Sequence, residues 1–339
     1  MNEFKFYNVG EGLFYRGSLN NHAFEFVYDC GSEIKYSHET IDNILRNDFI
    51  PKRNLDLLVI SHLHKDHTNG IQQLIVYTGK PKKIILPYYY ISSNNLFLKG
   101  FLFISGYDND ESQTILKSIF NNSDIWRRDE GNKYDNNNEY EFRVTNNHFF
   151  EDWDFVLLNK SISSAIAQQI EKDISKLIVN VKIEDYINKN PDKALKELTK
   201  IYKGYIKDLN ISSTIMIHWP KYECFETSVL TGDAYFDKEI ERKILDNICC
   251  YGYCFSHCRC RPITYFQVPH HGAEKNFSSI SGTFIRKINN FYISFGFGNK
   301  YRHPCCNVVY RISSQKGSKI HFAYNSDEPF FDDDTYIIK

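Results

Sequence analysis

Apolar residues along the chain form short strand-like runs. FKFYNV and AFEFVYD are apolar or alternating and are bounded by glycine and asparagine, which is typical of hairpin strands. Further runs of this kind are LLVIS, KKIILP, DWDFVLL, ETSVL, ITYFQV and FYISFG, and Pro87 stops the second of them. The pattern predicts strands over nearly the whole length of 339 residues.

Helix-like periods lie between these strands. Apolar residues after Ser37 recur at helical spacing as far as Leu45, and a second helix is predicted from about 68 to 77. From about 163 to 209 apolar residues stand three and four positions apart, and Pro191 is placed to open the second helix of this segment. Strands and helices therefore alternate along the chain.

We interpret residues 1–339 as one domain that carries two insertions. The first, 88–209, begins with an aromatic, asparagine-rich stretch in which we expect a mobile loop, and it continues with the helices. We expect the helices to pack on the core as a lid or buttress, and a surface for a protein partner is the alternative. The second insertion, 249–262, is a short cysteine-rich loop.

One stretch carries most of the candidate chemistry. Directly after LLVIS, the side chains of His62, His64, Asp66 and His67 fall within six residues. His62 and His64 point the same way on an extended segment, because side chains repeat every second residue. Imidazole nitrogen and carboxylate oxygen suit zinc, manganese or iron, whereas magnesium prefers more oxygen. A polar loop with incidental histidines explains this clustering poorly, so the sequence predicts a metal site.

This H-x-H-x-D-H pattern after a strand resembles the metallo-β-lactamase superfamily of metal-dependent hydrolases. Later landmarks agree: LTGD ends at Asp233, VPHHG contains His270 and His271, and NKYRHP contains His303. Their order is similar to that in the soluble C-terminal hydrolase domain of ComEC/Rec2 DNA-uptake proteins. Near the start of this chain, FYNVGEG also resembles the opening motif of that family. The resemblance implies an α/β fold, an αββα sandwich of two mixed sheets, with a mainly helical insertion.

The chain also departs from the family pattern. Asn8 stands where the family has aspartate, Ala273 replaces a serine, and Arg302 replaces a glycine. Each change bears on the substrate more than on metal binding, because none removes a proposed ligand. A further histidine that many members place before the glycine-aspartate motif has no clear counterpart. His148 and His218 are candidates for it, although ordinary packing is the preferred reading for both.

The resemblance implies two divalent ions, zinc or manganese. The proposed ligands are His62, His64, Asp66, His67, Asp233, His270 and His271. We assign His62 and His64 to one ion, Asp66 and His67 with His270 to the other, and Asp233 to the bridge. His271 competes with His270, and spacing does not separate the two. Two dications roughly 3.5–4 Å apart would lower the pKa of a shared water, making hydroxide available without a strong base.

Other residues are assigned to the surroundings of the ions. Asp29 is expected to accept the ring proton of a ligand histidine. Catalytic roles fall to Asp66 and Asp233, and to His303, which could protonate a departing oxygen or bind phosphate; a loop histidine at the rim is the alternative. Arg302 and Lys300, with Lys275, offer positive charge to a phosphate, although each alone is more often a solvated surface residue.

Composition limits the classes of protein. Apolar residues make up 42% of the chain and aromatic residues 16%, which allows a substantial core. The formal net charge of −1 gives no strong basic bias towards nucleic acid. The chain shows no apolar run of roughly 18 residues and no signal-peptide core, so we expect a soluble, cytoplasmic protein that does not bind membranes.

The nine cysteines are expected to be reduced thiols. Five of them crowd the second insertion, where Cys250, Cys254, Cys258 and Cys260 could hold a structural zinc; free thiols are the preferred alternative, because paired C-x-x-C spacing is absent. Cys30 is expected to be a small core residue and no nucleophile.

The resemblance implies hydrolysis of a phosphodiester, with DNA as the expected substrate. A paired-metal site suits an in-line displacement at phosphorus. A cyclic nucleotide, another small phosphodiester, a lactone or a thioester is the second hypothesis, which the near-neutral composition favours. A regulatory module with a structural metal is the third. Fold alone does not decide among them.

Overall fold

The computed structural model describes residues 2–32, 37–49, 54–87, 95–108, 110, 132–135, 140–206, 208–221, 226–248, 262–296, 298–325 and 335–338. The predicted mobile loop falls largely outside these residues, and so do the cysteines proposed for a structural zinc, Cys250, Cys254, Cys258 and Cys260.

Among the described residues, the first sheet has six strands: β1 (Glu3–Tyr7), β2 (Phe14–Leu19), β3 (Phe24–Cys30), β4 (Leu57–Val59), β5 (Lys83–Ile85) and β14 (Thr335–Ile338). Their order is β14-β1-β2-β3-β4-β5. Pairing is antiparallel from β14 to β3 and parallel from β3 to β5. The sheet is therefore mixed, and its parallel half presents the carboxyl ends of β3 and β4 at one edge.

The second sheet, as far as the structure describes it, has eight strands: β6 (Asn132–Asp135), β7 (Tyr140–Phe150), β8 (Trp153–Ile162), β9 (Thr214–Pro220), β10 (Thr227–Leu230), β11 (Ile263–Gln267), β12 (Ile288–Gly296) and β13 (Lys319–Asn325). Their order is β13-β12-β11-β10-β9-β8-β7-β6. Strands β13 to β10 are parallel neighbours, and β10 to β6 are antiparallel.

Helices cover both sheets. Those in the described part of the chain are α1 (Ser37–Asp48), α2 (Lys65–Thr68), α3 (Ile71–Thr78), α4 (Leu96–Ile104), α5 (Ser164–Leu177), α6 (Ile183–Lys189), α7 (Pro191–Tyr205), α8 (Lys238–Ile248), α9 (Glu274–Phe277), α10 (Gly282–Ile285) and α11 (Cys306–Ser313). Two 3₁₀ turns, Leu209–Ser212 and Pro269–Gly272, precede β9 and α9.

Three apolar clusters show how the layers are stacked. Phe26 of the first sheet meets Phe155 of the second edge to face, with ring centroids 5.2 Å apart, so this cluster lies between the sheets. A second cluster joins the outer face of the first sheet to α1, α3 and the helices α4 to α7. A third joins the second sheet to α8, α10 and α11. The order helix, sheet, sheet, helix confirms the predicted αββα sandwich of two mixed sheets.

The strands that carry the site are buried throughout, because both of their faces are covered. Every residue of β3, β4 and β10 is buried. Covering on both sides explains the short uninterrupted runs in the sequence, since only half-exposed strands need polar residues at alternate positions.

The helix predicted from about 68 to 77 is present as α3, which begins at Ile71, and a separate short helix, α2, precedes it. Asn69 lies between them, and its side-chain amide accepts from the Ser32 backbone N–H and donates to the Ser32 carbonyl. The N–H of Gly70 donates to the Cys30 carbonyl at 2.9 Å. These bonds fix the chain to the end of β3, so Asp66 and His67 lie on a short helix of their own.

Candidate metal centre

The candidate site lies where loops of the two sheets meet. His62, His64, Asp66 and His67 follow β4 of the first sheet. Asp233 follows β10 of the second sheet, and the pair His270 and His271 follows β11, the parallel neighbour of β10. Carboxyl ends of parallel strands share one edge of a sheet, which is where α/β proteins commonly bind ligands.

Asp233 is the centre of this cluster, and its two carboxylate oxygens face different histidines. Oδ1 lies 3.1 Å from Nε2 of His67 and 3.7 Å from Nε2 of His271. Oδ2 lies 3.7 Å from Nε2 of His62 and 3.5 Å from Nε2 of His270. Asp233 therefore stands between two groups of ligand atoms, as the sequence-based assignment of a bridging carboxylate requires.

Asp66 belongs to the group around Oδ1. Its Oδ2 lies 3.3 Å from Nε2 of His271 and 3.8 Å from Nε2 of His67. Two sets of atoms lie close enough to share an ion, namely His62, His67 and Asp233, and Asp66, His67 and His271. The structure thus places His271, and not His270, beside Asp66 and His67, which differs from the pairing assigned from the sequence.

His270 lies at Oδ2 of Asp233 together with His62, and His64 lies next to His62. The ring of His64 is 4.6 Å from the ring of His62, and His270 shares the Oδ2 oxygen of Asp233 with His62. His270 thus lies beside the ion position assigned to His62 and His64, for which the sequence analysis found no third histidine.

Four of these histidines are tethered through Nδ1. His67 bonds Asp29 at 2.8 Å, and His62 bonds the Ser61 hydroxyl at 2.9 Å. In the same way His271 bonds the Ser294 carbonyl and His270 bonds the Asn276 side-chain oxygen, each at 3.0 Å. A hydrogen on Nδ1 leaves a lone pair on Nε2 of each ring, and all four Nε2 atoms face Asp233.

Several of the ligand atoms that face Asp233, and one oxygen of Asp233 itself, lack a hydrogen-bond partner. Within the described part of the chain, Nε2 of His62, His67 and His271 and Oδ1 of Asp233 are buried without a hydrogen-bond partner. Buried polar groups normally find a partner, because leaving one unpaired costs free energy. Converging nitrogen lone pairs and carboxylate oxygens are a donor set that a divalent cation satisfies, so these residues fit the metal implied by the resemblance.

Electrostatics point the same way. Burial and the neighbouring His67 lower the pKa of His62 well below its usual range. Burial also opposes a charged His67, but Asp233, Asp66 and Asp29 outweigh it and raise the pKa of that ring. Burial opposes ionisation of Asp233, yet the surrounding histidines, His270 foremost, lower its pKa. The carboxylates around His67 thus favour positive charge at this point, which a proton or a dication can supply, and the two would compete for Nε2.

The backbone is strained at this site. Asp29, His270, His271 and Arg302 all adopt positive φ angles, between 50° and 58°, although none is glycine. Such conformations cost roughly 1–3 kcal/mol each and persist where the surrounding structure enforces them. The left-handed turn at His270 and His271 directs the adjacent rings to opposite oxygens of Asp233, which regular strand or helix geometry would not do.

Gln267 holds the Asp233 turn, and the sequence analysis missed it. Its side-chain oxygen accepts from the N–H groups of Thr231 and Gly232, each at 2.7 Å, and its amide nitrogen donates to the Gly232 carbonyl at 3.1 Å. The sequence signal for it is a polar residue in the apolar run ITYFQV, and the structure shows that its side chain is buried. Asn276 was missed as well, and it links Asp233 to His270.

Gly232 is required by close approach to the loop of the first sheet. It has a φ of +54°, and a Cβ atom there would lie 2.5 Å from Cβ of Ser61. The turn before Asp233 can therefore touch the segment that carries His62 only if residue 232 has no side chain.

His303 lies at the rim. Its ring is 5.6 Å from that of His270, and burial, followed by the charges of His270 and His271, lowers its pKa to about 4. Of the basic residues singled out in the sequence, Arg302 and Lys300 are exposed on the same loop, and Lys275 is engaged with Asp208 at 2.8 Å.

The remaining sequence candidates lie away from the centre. His218 is buried between the sheets, where Trp153 donates to its Nδ1 at 3.1 Å and Tyr15 bonds its Nε2 at 3.0 Å. It is a packed core histidine, as the preferred reading held. The side chain of His148 lies outside the described residues. Cys30 is fully buried, and burial raises the pKa of its thiol, which agrees with a core residue and not a nucleophile.

Comparison with known proteins supports the resemblance to the metallo-β-lactamase superfamily over part of the chain. The family model described as "Metallo-beta-lactamase superfamily" matches residues 20–149, which include the H-x-H-x-D-H motif. Asp233, His270 and His271 lie beyond the matched range. No curated protein matches the chain.

Solved structures give distant likenesses. The metallo-beta-lactamase fold protein YhfI from Bacillus subtilis aligns over 94% of this chain and 96% of its own, with 10% identity and a TM-score of 0.41. ST1585, an archaeal metallo-beta-lactamase superfamily protein from Sulfolobus tokodaii, aligns over 58% of this chain and 98% of its own, with 13% identity and a TM-score of 0.22. A diphosphatase from the PhnP family aligns over 51% and 70%, with 11% identity and a TM-score of 0.22. These scores are low, so the fold rests on the observed sheets and the family match.

Among the described residues, the structure contains no helix with the length and apolar character needed to cross a membrane.

Proposed function

We propose that the chain is a metal-dependent hydrolase of phosphodiesters, with DNA as the expected substrate. The observation that carries this proposal is the convergence of unsatisfied histidine nitrogens on both oxygens of Asp233. A purely structural zinc site is normally closed by four ligands around one ion. Two groups of ligands that share one carboxylate are the arrangement that two-metal hydrolysis requires.

Two ligand groups follow from the distances. His62 and His270 at Oδ2 of Asp233, with His64 beside His62, would hold one ion, and Asp66, His67 and His271 at Oδ1 of Asp233 would hold the other. His67 also lies close enough to His62 to share an ion with it. The imidazole nitrogens suit zinc, and the carboxylate oxygens of Asp66 and Asp233 suit manganese. When bound, two such ions lower the pKa of coordinated water and offset negative charge that develops on a phosphate.

The other residues of the site act on the substrate and on the ligands. Asp29 fixes the orientation of His67 through the bond to its Nδ1. His303, with a pKa of about 4, is neutral at pH 7, so we assign it to hydrogen bonding with a phosphate oxygen in preference to the role of a charged acid. Lys300 and Arg302 on the same loop supply positive charge to the phosphate.

A second substrate class keeps the same site. Cyclic nucleotides and other small phosphodiesters need no extended basic surface, and the formal net charge of −1 favours them over long nucleic acid. A lactone or thioester, or a regulatory role without catalysis, has weaker support. The closer resemblance to ComEC/Rec2 proteins, the location in the cytoplasm and a partner surface on the helical insertion stay predictions.

The test is cleavage by the purified protein supplied with zinc or manganese. Single-stranded and duplex DNA, a cyclic dinucleotide and a chromogenic phosphodiester are offered in parallel with a lactone and a thioester. We expect at least one of the phosphodiesters to be cut, and Asp233→Asn to abolish cleavage while circular dichroism shows the fold retained. Asp246→Asn is the matched control, because Asp246 is an exposed partner of Arg242 on α8. Cleavage that survives Asp233→Asn, or hydrolysis of a lactone or thioester alone, would overturn the proposal.

A further inference from the structure

An exposed aromatic ring stands at the rim of the site and takes no part in the ligand groups. Tyr301 is 59% exposed, and its ring lies almost parallel to that of His303, with centroids 5.9 Å apart and an interplanar angle of 19°. The ring of His303 is 5.6 Å from that of His270, whose Nε2 is 3.5 Å from Asp233. A series of rings therefore leads from the central carboxylate to the solvent.

The side chain of Asn299 helps to hold the loop that carries Tyr301. The Asn299 amide oxygen accepts from the His303 N–H at 2.9 Å, and its nitrogen donates to the carbonyls of His303 at 2.6 Å and Gly296 at 2.8 Å. These bonds close the turn on which Tyr301 and His303 stand two positions apart. An aromatic side chain that is already positioned loses little entropy when a ligand packs against it.

Positive charge accompanies this ring. The ammonium group of Lys300 lies over the Tyr301 ring, 4.8 Å from its centroid. Arg302, which follows Tyr301 in the chain, is exposed as well. The chain as a whole has a formal net charge of −1, so it has no excess of positive charge that could attract a nucleotide at long range. Local stacking of a base on an aromatic ring, with a cation nearby for phosphate, provides affinity without such an excess.

We propose that Tyr301 is a stacking platform for a nucleobase attached to the phosphodiester that enters the site. This inference rests on the proposed hydrolysis and narrows its substrate class to nucleotides whose bases are unpaired, such as single-stranded DNA or a cyclic dinucleotide. A base inside a duplex cannot offer its face to a side chain unless it is first unstacked. Tyr301 thereby determines specificity, and the ligand groups perform the reaction.

The test compares a short single-stranded oligonucleotide with an abasic oligonucleotide of the same length, charge and terminal dye. Binding to the metal-free protein is measured by fluorescence anisotropy, and kcat and KM are measured with the metal-loaded protein. Tyr301→Ala is compared with Tyr301→Phe, which keeps the ring. Tyr310→Ala is the matched control, because Tyr310 is 71% exposed on α11, which carries none of the proposed ligands.

We expect Tyr301→Ala to weaken binding of the base-bearing oligonucleotide about five- to a hundredfold and to raise its KM to a similar extent. Binding of the abasic oligonucleotide should change by less than about twofold, and Tyr301→Phe and Tyr310→Ala should resemble the wild type. Equal losses on both oligonucleotides, or no loss on either, would overturn the platform. If the wild type cuts neither but binds the base-bearing one in a Tyr301-dependent way, the platform stands and the proposed hydrolysis fails.

Discussion

Asp29 shows how one buried carboxylate can determine what a neighbouring histidine offers to a cation. It accepts from the N–H and the hydroxyl of Ser61, at 2.7 and 2.6 Å, and from Nδ1 of His67 at 2.8 Å. Burial raises the pKa of Asp29, while the bonds from His67 and Ser61 favour its charged form. These contacts leave the Nε2 lone pair of His67 directed at Asp233.

We therefore expect Asp29→Asn to weaken metal binding about 10–100-fold with little change in shape. The Ser61 N–H holds the amide oxygen, so the amide NH₂ faces His67 and favours the tautomer that protonates Nε2. Titration with zinc, followed by calorimetry, measures the effect. Asp56→Asn is the control. Asp56 stands directly before β4, the strand next to β3, and accepts from the Glu25 N–H without touching a histidine of the site. Unchanged affinity in Asp29→Asn would contradict the assigned role.

Close packing between segments fixes the metal-binding loop as a unit. The carbonyl of Asp66 lies against the turn after β3, so that a Cβ atom at Gly31 would come within 2.1 Å of it, and the Leu13 N–H donates to the same carbonyl at 3.3 Å. The loop that carries Asp66 is therefore built against the ends of β2 and β3.

Gly31→Ala should displace this loop, lowering the melting temperature and the metal affinity together, because the added methyl meets backbone that cannot move independently. Gly204→Ala is the control: Gly204 lies near the end of α7 with nothing within 4 Å of an added Cβ. It should be neutral or stabilise the protein by up to about 1 kcal/mol. Differential scanning fluorimetry with and without zinc distinguishes the two variants. A Gly31→Ala protein with wild-type melting and metal response would show that the close approach is not needed.

Local patterns in the sequence predicted the strands, most helices and the residues that gather at the site. H-x-H-x-D-H and LTGD could be recognised because each follows an apolar strand directly. Which oxygen of Asp233 each of His270 and His271 faces could not be predicted, because it depends on left-handed backbone angles that spacing does not reveal. Gln267, Asn276 and Ser294 act only through contacts between distant segments, and the break between α2 and α3 likewise arises from bonds to β3.

The assembled sandwich adds a pH dependence that lies outside the metal site. His218 is buried between the sheets, and burial lowers its pKa to about 3 from an ordinary value of 6.5. In the unfolded chain it takes up a proton below pH 6.5, whereas in the folded protein it stays neutral down to about pH 3. The unfolded state therefore binds more protons in this window, and the free energy of unfolding falls as the pH is lowered through it.

We expect His218→Gln, which can still accept from Trp153 and donate to Tyr15, to reduce the acid sensitivity of folding. Between pH 6.5 and 4.5 the free energy of unfolding of the wild type should fall more steeply than that of the variant, by up to about 1.4 kcal/mol per pH unit. Urea denaturation at several pH values, with chelator present, measures both slopes. Parallel slopes would show that His218 does not titrate as its burial indicates.

Both sheets are needed to complete the site. His62, His64, Asp66 and His67 come from the first sheet, and Asp233, His270 and His271 come from the second. A cation held by both sheets binds the folded protein in preference to the unfolded chain, so metal should stabilise the whole molecule.

The most direct test of this account is a crystal structure of the protein loaded with zinc or manganese, with the ions located by anomalous scattering. We predict two peaks, one on each side of the Asp233 carboxylate, the first contacted by His62, His64 and His270 and the second by Asp66, His67 and His271. A centre without ions under these conditions, or ions bound elsewhere in the chain, would contradict it.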